Sequence, residues 1–454
     1  MVWQETEQEG VFSRPIGENE TFIKLVGDAG LLLNREHWAI NSSATVVPTG
    51  SFASANADLA SRFRQAWAHL RFQHPSLAAE VAPSDDTRFI YIYTVPADRA
   101  ALDAWVSRTF SVAADAASSA DVIPAFRPTP YAKLVYFPRS GELLLHTAHW
   151  RTDGIGVLLL LDAFLAIAST PGPLADPSSL AWGTEIVRLA PSVEDAACMP
   201  SQPTPAQEER AAALVKTFAH TVGAIWIPYL GNETTLPAGT HSAALALSAT
   251  TTEKVVEACK ARGVSVTAAV HASVAGANYA LADDTGKEKH YTSTVRFALR
   301  PHLSEPASAA GLYTTGWMRR VEAAMSWQER ACVYNDEYRK GITRDFLDAH
   351  REYAKKLIEL VRRGGESPSS EVDISSIGVA EKLIRPSYGS LEVRAVSVGV
   401  EILSRQAVVF VWTFRDRLNL SVVYNEAFHS GEQMRRFVDT VKSELLEGLG
   451  VRDS

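Results

Sequence analysis

Two α/β sandwiches with mixed sheets are the fold class this sequence predicts, on three observations. The chain has 454 residues, too many for one ordinary core, so two domains of about 200 residues each are expected. Strand-like and helix-like segments are mixed in both halves, as in layered α/β domains. Between the halves, residues 170–206 collect Pro, Ser and Gly with little periodicity, as in STPGPLADPSS and ACMPSQPTPAQ, which reads as a linker. The expected division is therefore 1–205 for the first domain, 206–238 for a linking helix and loop, and 239–454 for the second. No internal repeat is visible.

Along the first half, NADLASRFRQAWAHLRFQHP places Leu59, Phe63, Ala66, Trp67 and Leu70 on one helical face and ends at Pro75, a breaker. TRFIYIYTVP alternates and is rich in β-formers, so it predicts a strand. ALDAWVSRTF predicts a helix. AKLVYFPRSGELLLHTAHW predicts two strands turning at PRSG. Residues Ile155 to Ala168 form a helix apolar nearly all round, which has to be buried.

In the second half, HSAALALSA predicts a strand, and TTTEKVVEACKARG a helix with threonine at its start and Gly263 at its end. SVTAAVHASVAGANYAL predicts a small-residue helix able to pack closely. Strands follow at KHYTSTVRFALRP, LEVRAVSVGVEI, AVVFVWTF and RLNLSVVYN, and GEQMRRFVDTVKSELLEGL predicts a closing amphipathic helix. FAHTVGAIWIPYLG (218–231) brings aromatics near the linker, which either line a pocket for an apolar acceptor or pack a helix end.

Composition excludes several classes. Hydrophobic residues are 46% and charged residues 21%, with a net charge of −8, the balance of a globular protein. Without a Lys/Arg cluster to neutralise phosphates, nucleic acid is not an expected partner. The longest apolar run, Ile155 to Leu161, is too short to span a bilayer, and the acidic start lacks the pattern of a secretory signal. Cys198, Cys259 and Cys332 are scattered and make neither a disulfide framework nor a zinc site. A cytoplasmic protein without a metal fits these features. CxxC, HExxH and glycine-rich phosphate loops are also missing.

One cluster carries chemistry. In LLLHTAHWRTDGIGVLLLL, a polar group interrupts two apolar segments. His149 and Asp153 form an HxxxD with Gly154 next. The chain has 12 histidines, so about 0.6 HxxxD matches arise by chance, and about 0.04 once glycine must follow. The glycine and the strand-to-helix setting carry the signal. A histidine held at such a junction is fixed yet can face a cleft; the plain alternative is a core imidazole satisfied by a neighbouring carboxylate. His146, three residues earlier and without an Asp, reads as structural.

HWRTDG resembles the catalytic motif of the acyl-CoA-dependent acyltransferases related to chloramphenicol acetyltransferase. These include plant alcohol acyltransferases, peptide-synthetase condensation domains and fungal trichothecene O-acetyltransferases. FALRPHLSEPASAAGLYTTGW, VDISSIGVAEKLIRPSYGSLEV and LNLSVVYNEAFHSGEQMRRFVDTVKSELL are similar to later segments of that family, in the family's order, and the likeness is closest to the trichothecene 15-O-acetyltransferase group. At 388–390, YGS stands where the plant enzymes carry Asp-Phe-Gly-Trp-Gly.

The resemblance implies two chloramphenicol-acetyltransferase-like domains with an interdomain tunnel and a strand segment near 371–411 crossing toward the first half. It also implies a monomer without a bound cofactor, taking acyl-CoA, acetyl-CoA foremost, as co-substrate. The acceptor is expected to be a hydroxyl of a secondary metabolite such as a terpenoid or polyketide. His149 is then the base: an imidazole of ordinary pKa about 6.5 is neutral at pH 7, and the lack of a GxSxG elbow agrees with direct transfer. Asp153 is expected to turn from His149 and pair with Arg300 as structural support, and the Gly154 N–H to face the oxyanion.

Ser375 and Ser376 are further donor candidates, of which strand alternation lets at most one reach the site. Asn425 is a candidate to orient a substrate or else a turn residue, and Tyr388 and Gly389 are candidates for the site's floor. Two other readings stay open: a condensation-type enzyme using a carrier-bound acyl group, and a non-catalytic binding protein on the same fold.

Overall fold

The strand Glu142–Thr147 is apolar on both faces, and all six of its residues are buried. Such a strand needs a partner on each edge and cover on each face. The computed structural model, which describes residues 2–54, 58–84, 88–304, 307–364 and 370–453, supplies both. The strand is central in a five-stranded sheet of order Leu391–Val400, Ile40–Pro48, Glu142–Thr147, Lys133–Phe137, Phe110–Val112. Both of its pairings are antiparallel, with His146 opposite Asn41 on one side and Lys133 on the other. The Phe110–Val112 strand pairs in parallel, so the sheet is mixed. Leu391–Val400 comes from late in the chain and pairs antiparallel with Ile40–Pro48, Val398 opposite Ser42.

Helices Leu59–Gln73 and Gly154–Ala168 cover this sheet, burying Phe63, Trp67 and Leu70 from one and Val157, Leu161 and Phe164 from the other. A smaller antiparallel sheet, Gln4–Glu5, Val11–Pro15, Phe89–Thr94, Glu80–Pro83, adjoins them.

The later half is built on a sheet of order Val372–Val379, Ala407–Phe414, Arg417–Asn425, Thr240–Ala246, whose first pair is parallel and the rest antiparallel. Helices Val266–Leu281 and Gly431–Leu449 pack on it, with Val274, Val409 and Phe437 in one apolar core. The hairpin Tyr291–Ala298 with Thr314–Val321 stands beside that sheet. The architecture is thus the mixed α/β class that the sequence predicts.

The 170–206 stretch is irregular apart from short helical turns and the start of the Pro205–Lys216 helix, but it is packed. Glu185 accepts a hydrogen bond from the Tyr93 hydroxyl at 2.7 Å, and the Ala190 carbonyl accepts from the Trp3 indole at 3.0 Å. Val193 and Glu194 are fully buried. Loss of periodicity reports that helical turns there are short, Val193–Ala196 being one of them, and not the absence of a core.

Candidate active site

The loop carrying HWRTDG leaves the strand Glu142–Thr147 and enters the helix Gly154–Ala168. It is anchored from within. Arg151 is buried, and its guanidinium donates to the carbonyls of Ser76 at 2.6 Å, Ala79 at 2.7 Å and Pro130 at 2.7 Å. The Trp150 indole donates to Glu36 at 3.0 Å, and the Thr152 hydroxyl to the Ala309 carbonyl at 2.7 Å.

Held by that frame, the half-buried His149 has Nδ1 3.1 Å from the Thr152 carbonyl. A carbonyl only accepts, so Nδ1 carries the proton and Nε2 keeps its lone pair. Burial lowers the imidazole pKa from its ordinary 6.5, with Asp153 opposing in part, so the ring is neutral at pH 7.

Asp153 turns the other way. It caps the helix, its Oδ1 accepting from the N–H groups of Ile155 at 3.1 Å and Gly156 at 2.9 Å. Arg300 Nη1 lies 2.6 Å from both carboxylate oxygens, and the Tyr313 N–H donates to Oδ2 at 2.8 Å. Burial by itself raises the Asp153 pKa, but the Arg300 charge and these donors outweigh it and hold the group below 3.8. Among the described residues no hydrogen bond joins Asp153 to His149. The seam is so close that a Cβ on Gly156 would meet Thr152 Oγ1 at 2.1 Å and the Ala309 carbonyl oxygen at 2.4 Å. Gly156 therefore matters as much to the seam as Gly154, whose Cβ would meet only side-chain atoms, the nearest Ile377 Cδ1 at 3.0 Å.

His149, Asp153 and Gly154 border a cavity of about 1370 Å³, its open mouth included. Its walls come from both halves of the chain. Phe22, Phe218, Phe297, Met318 and Leu357 make an apolar side, while Trp38, Ile40, Val398 and Val400 stand with the His149 loop in the lining. Polar groups are the smaller part of the lining, Asn19, Thr294 and Gln406 among them, as in small-molecule sites that set a few polar groups in an apolar wall. Arg296 belongs to them, paired to Asp373 at 2.7 Å, and so does Thr315, whose hydroxyl lies 3.1 Å from the buried His350. Arg296 is four residues before Arg300 in VRFALR, and nothing in the sequence distinguishes it from an ordinary alternating strand position.

The other sequence candidates fall in different places. Both Ser375 and Ser376 border the cavity, but their hydroxyls are placed differently. Both residues pair in regular register, Ser375 with Phe410 and Ser376 with Val411, and the ladder is broken only beyond them, between Ser376 and Gly378. The Ser376 hydroxyl is engaged by Thr267 at 3.0 Å, whereas the Ser375 hydroxyl has no protein partner among the described residues.

Tyr388 and Gly389 are not in the cavity lining. Tyr388 donates to Asp162 at 2.5 Å and so ties its loop to the outer side of the Gly154–Ala168 helix, while Gly389 is in a turn with φ +72°. Asn425 is fully buried, and its amide bonds the Ala238 N–H at 2.9 Å and the carbonyls of Ala238 and Ile402 at 2.8 Å each. All its capacity goes to backbone, which leaves nothing for a substrate.

His146 is buried against Phe126, at 4.3 Å between ring centroids, with Nδ1 2.9 Å from Asn41, and burial pushes its pKa down to about 3. Of the aromatics in 218–231, Phe218 reaches the cavity; Trp226 lies under Lys289 and Tyr229 under Arg405. No described helix is long and apolar enough to cross a membrane, and no described cluster of His, Cys, Asp and Glu could hold a metal ion.

No protein-family model matches the chain. Its fold is similar to that of the trichothecene 15-O-acetyltransferase TRI3 of Fusarium sporotrichioides, with a TM-score of 0.84 at 17% identity over 98% of this chain and 97% of that one. It is also similar to the first condensation domain of the calcium-dependent antibiotic synthetase, with a TM-score of 0.67 at 14% identity over 97% of each chain. These likenesses establish the chloramphenicol-acetyltransferase type of fold. In sequence the chain is 30% identical to the O-acetyltransferase pigM of Monascus ruber, over 99% of this chain and 88% of that protein. It is 43% identical to the acetyltransferase pigO of Monascus ruber, over 100% of this chain and 99% of that protein. The chain belongs to the fungal acetyltransferase family that includes pigO, and it is an acyltransferase.

Proposed function

We propose that this enzyme transfers an acyl group, acetyl foremost, from coenzyme A to a hydroxyl of a small secondary metabolite, with His149 as general base in a ternary complex. The observation that carries the reading is the Nδ1 contact of His149 to the Thr152 carbonyl, 3.1 Å. It fixes the tautomer in which Nε2 is the basic nitrogen, at the edge of a cavity lined by residues from both halves of the chain.

In the proposed step, Nε2 takes the proton of the acceptor hydroxyl as its oxygen bonds to the thioester carbon. The Gly154 N–H begins the Gly154–Ala168 helix, whose next two amides are already taken by Asp153. No described residue takes the Gly154 amide, which is placed to receive the developing oxyanion, with the Ser375 hydroxyl as a second donor. The carbon–sulfur bond then breaks, and the imidazolium returns the proton to the sulfur. Asp153 takes no part in proton transfer, because Arg300, Tyr313 and two helix amides already occupy its oxygens; it keeps the loop in shape. The apolar side of the cavity supports an acceptor with an apolar body, of the terpenoid or polyketide kind.

The test is thiol release from acetyl-CoA with a panel of hydroxylated polyketides and terpenoids. We expect release that depends on the acceptor and falls by about 10²–10⁴-fold in His149→Ala. Turnover only with carrier-protein thioesters, or binding without turnover, would overturn the proposal.

A further inference from the structure

The turn Glu36–Ala39 closes with a hydrogen bond from the Ala39 N–H to the Glu36 carbonyl at 3.3 Å. Trp38 is its third residue, and its φ is +64°. Turns of this kind give that position to glycine, because a bulky side chain reaches positive φ only under strain. Here the backbone is held from outside. The Trp38 N–H donates to the Glu401 carbonyl at 2.8 Å, the Glu401 N–H donates to the Ala39 carbonyl at 2.8 Å, and the Leu403 N–H donates to His37 Nδ1 at 3.1 Å. Strain that the surroundings enforce is a feature of functional sites. What it achieves in this case is placement. The indole borders the cavity with its ring centroid 6.4 Å from that of His149, at an angle of 51°. The indole makes no hydrogen bond to any described residue, so it is the bulk of the ring that is fixed there.

We propose that Trp38 is a positioning residue that shields one side of the His149 imidazole from bulk water and thereby directs the thioester to the alcohol instead of to hydrolysis. The proposal rests on the reading of His149 as the base. Water and an alcohol are alternative nucleophiles for such a base. In either case the base takes an O–H proton, the oxygen bonds to the acyl carbon, the carbon–sulfur bond breaks, and the proton passes to sulfur. The products are ester and thiol with an alcohol, or carboxylic acid and thiol with water. An imidazole does not discriminate between them, so discrimination comes from the walls that admit or exclude water. The charged groups acting on this imidazole are Asp153 and Arg296. Among the described residues neither makes a hydrogen bond or ion pair to Trp38, and each is held by its own partner, Arg296 by Asp373 and Asp153 by Arg300.

The experiment uses the full chain as wild type and as Trp38→Ala, Trp38→Phe and Trp38→Gly. One readout is thiol release from acetyl-CoA without acceptor; the other is NMR titration of His149. Trp38→Ala is expected to hydrolyse acetyl-CoA several-fold faster than wild type and to raise the His149 pKa by roughly one unit, the scale on which burial acts. Trp38→Phe is expected to restore both readouts. Trp38→Gly is expected to match Trp38→Ala in both and to resist denaturant better, because its backbone accepts positive φ. Either readout unchanged in Trp38→Ala, or Trp38→Phe as defective as Trp38→Ala, overturns the proposal. If the wild type transfers acetyl to no acceptor, the functional reading falls, and the titration alone still decides whether the indole shields the imidazole.

Discussion

Arg300 Nη1 lies 2.6 Å from each carboxylate oxygen of Asp153, and this contact joins the HWRTDG loop to the end of the Tyr291–Ala298 strand. Removing one partner of a buried pair leaves the other charge uncompensated, typically at about 3–5 kcal/mol. Arg300→Ala is therefore expected to lose stability of that order in denaturant unfolding, with a fall in thiol-release rate. The Asp153 pKa is depressed in the fold, so its contribution is complete above the unfolded carboxyl pKa and is lost as pH falls through the folded one. The acid-side loss of stability below about pH 4 is expected to shrink in Arg300→Ala. A variant fully stable yet inactive contradicts the supporting role.

Gly156 provides a second test of the same seam. A Cβ there would lie 2.1 Å from Thr152 Oγ1, 2.4 Å from the Ala309 carbonyl oxygen and 2.6 Å from Arg300 Nη2. Backbone cannot move aside as a flexible side-chain end can. Gly156→Ala is expected at or above the upper end of the about 1–3 kcal/mol usual for overpacking, with loss of activity. Gly154→Ala meets Ile377 Cδ1 at 3.0 Å and Val398 Cγ1 at 3.6 Å, and it retains its amide. It is expected to cost less in thermal unfolding. The reverse order of the two variants would mean that the seam is looser than its distances imply.

What the sequence makes legible follows from how local its signals are. The HWRTDG loop stands out because a polar cluster between two apolar runs has no cheap explanation in a core, and the mixed α/β class follows from alternation and helical spacing. Trp38 leaves no such trace, since only the backbone angle reveals that it occupies a glycine position. Tyr388 is a site candidate in the sequence because YGS stands where the resembling plant enzymes carry their Asp-Phe-Gly-Trp-Gly loop, and Asn425 because VVYNEAF places a polar side chain that either orients a substrate or forms a turn. Their partners, Asp162 and Ala238, are distant in sequence, and no local pattern directs the two side chains elsewhere. Residues 170–206 are the converse case: proline removes periodicity while Val193 and Glu194 are still fully enclosed.

The acid limb of the rate profile reports on His149. Burial holds this imidazole below 6.5, and a base acts only when unprotonated. Activity is therefore lost as pH falls through the lowered pKa. The value of kcat/KM is expected to be flat at pH 7 and above, with an inflection below 6.5 and unit slope beneath it. In His149→Gln that limb is expected to vanish from whatever rate remains. An inflection at or above pH 7 in the wild type would mean that the imidazole is well hydrated or that another group titrates.

Two buried glutamates give stability the opposite pH dependence over a different window. Glu194 accepts from the Asn19 N–H at 2.7 Å and Glu371 from the Gln406 amide at 3.3 Å, while the second carboxyl oxygen of each has no partner among the described residues. Burial first, and nearby carboxylates second, push both up to about 7. Unfolded glutamate titrates at about 4.3, so between these values the folded state holds more protons. Stability then declines as pH rises through that interval. A tenfold difference in proton affinity between the folded and unfolded states is worth about 1.4 kcal/mol, so the two groups together amount to roughly 7 kcal/mol at most. The urea midpoint is expected to fall from pH 5 to pH 7.5, and less steeply in the double variant Glu194→Gln with Glu371→Gln. A double variant with the wild-type slope would show that both carboxyls are ionised in the fold and that other groups set the dependence.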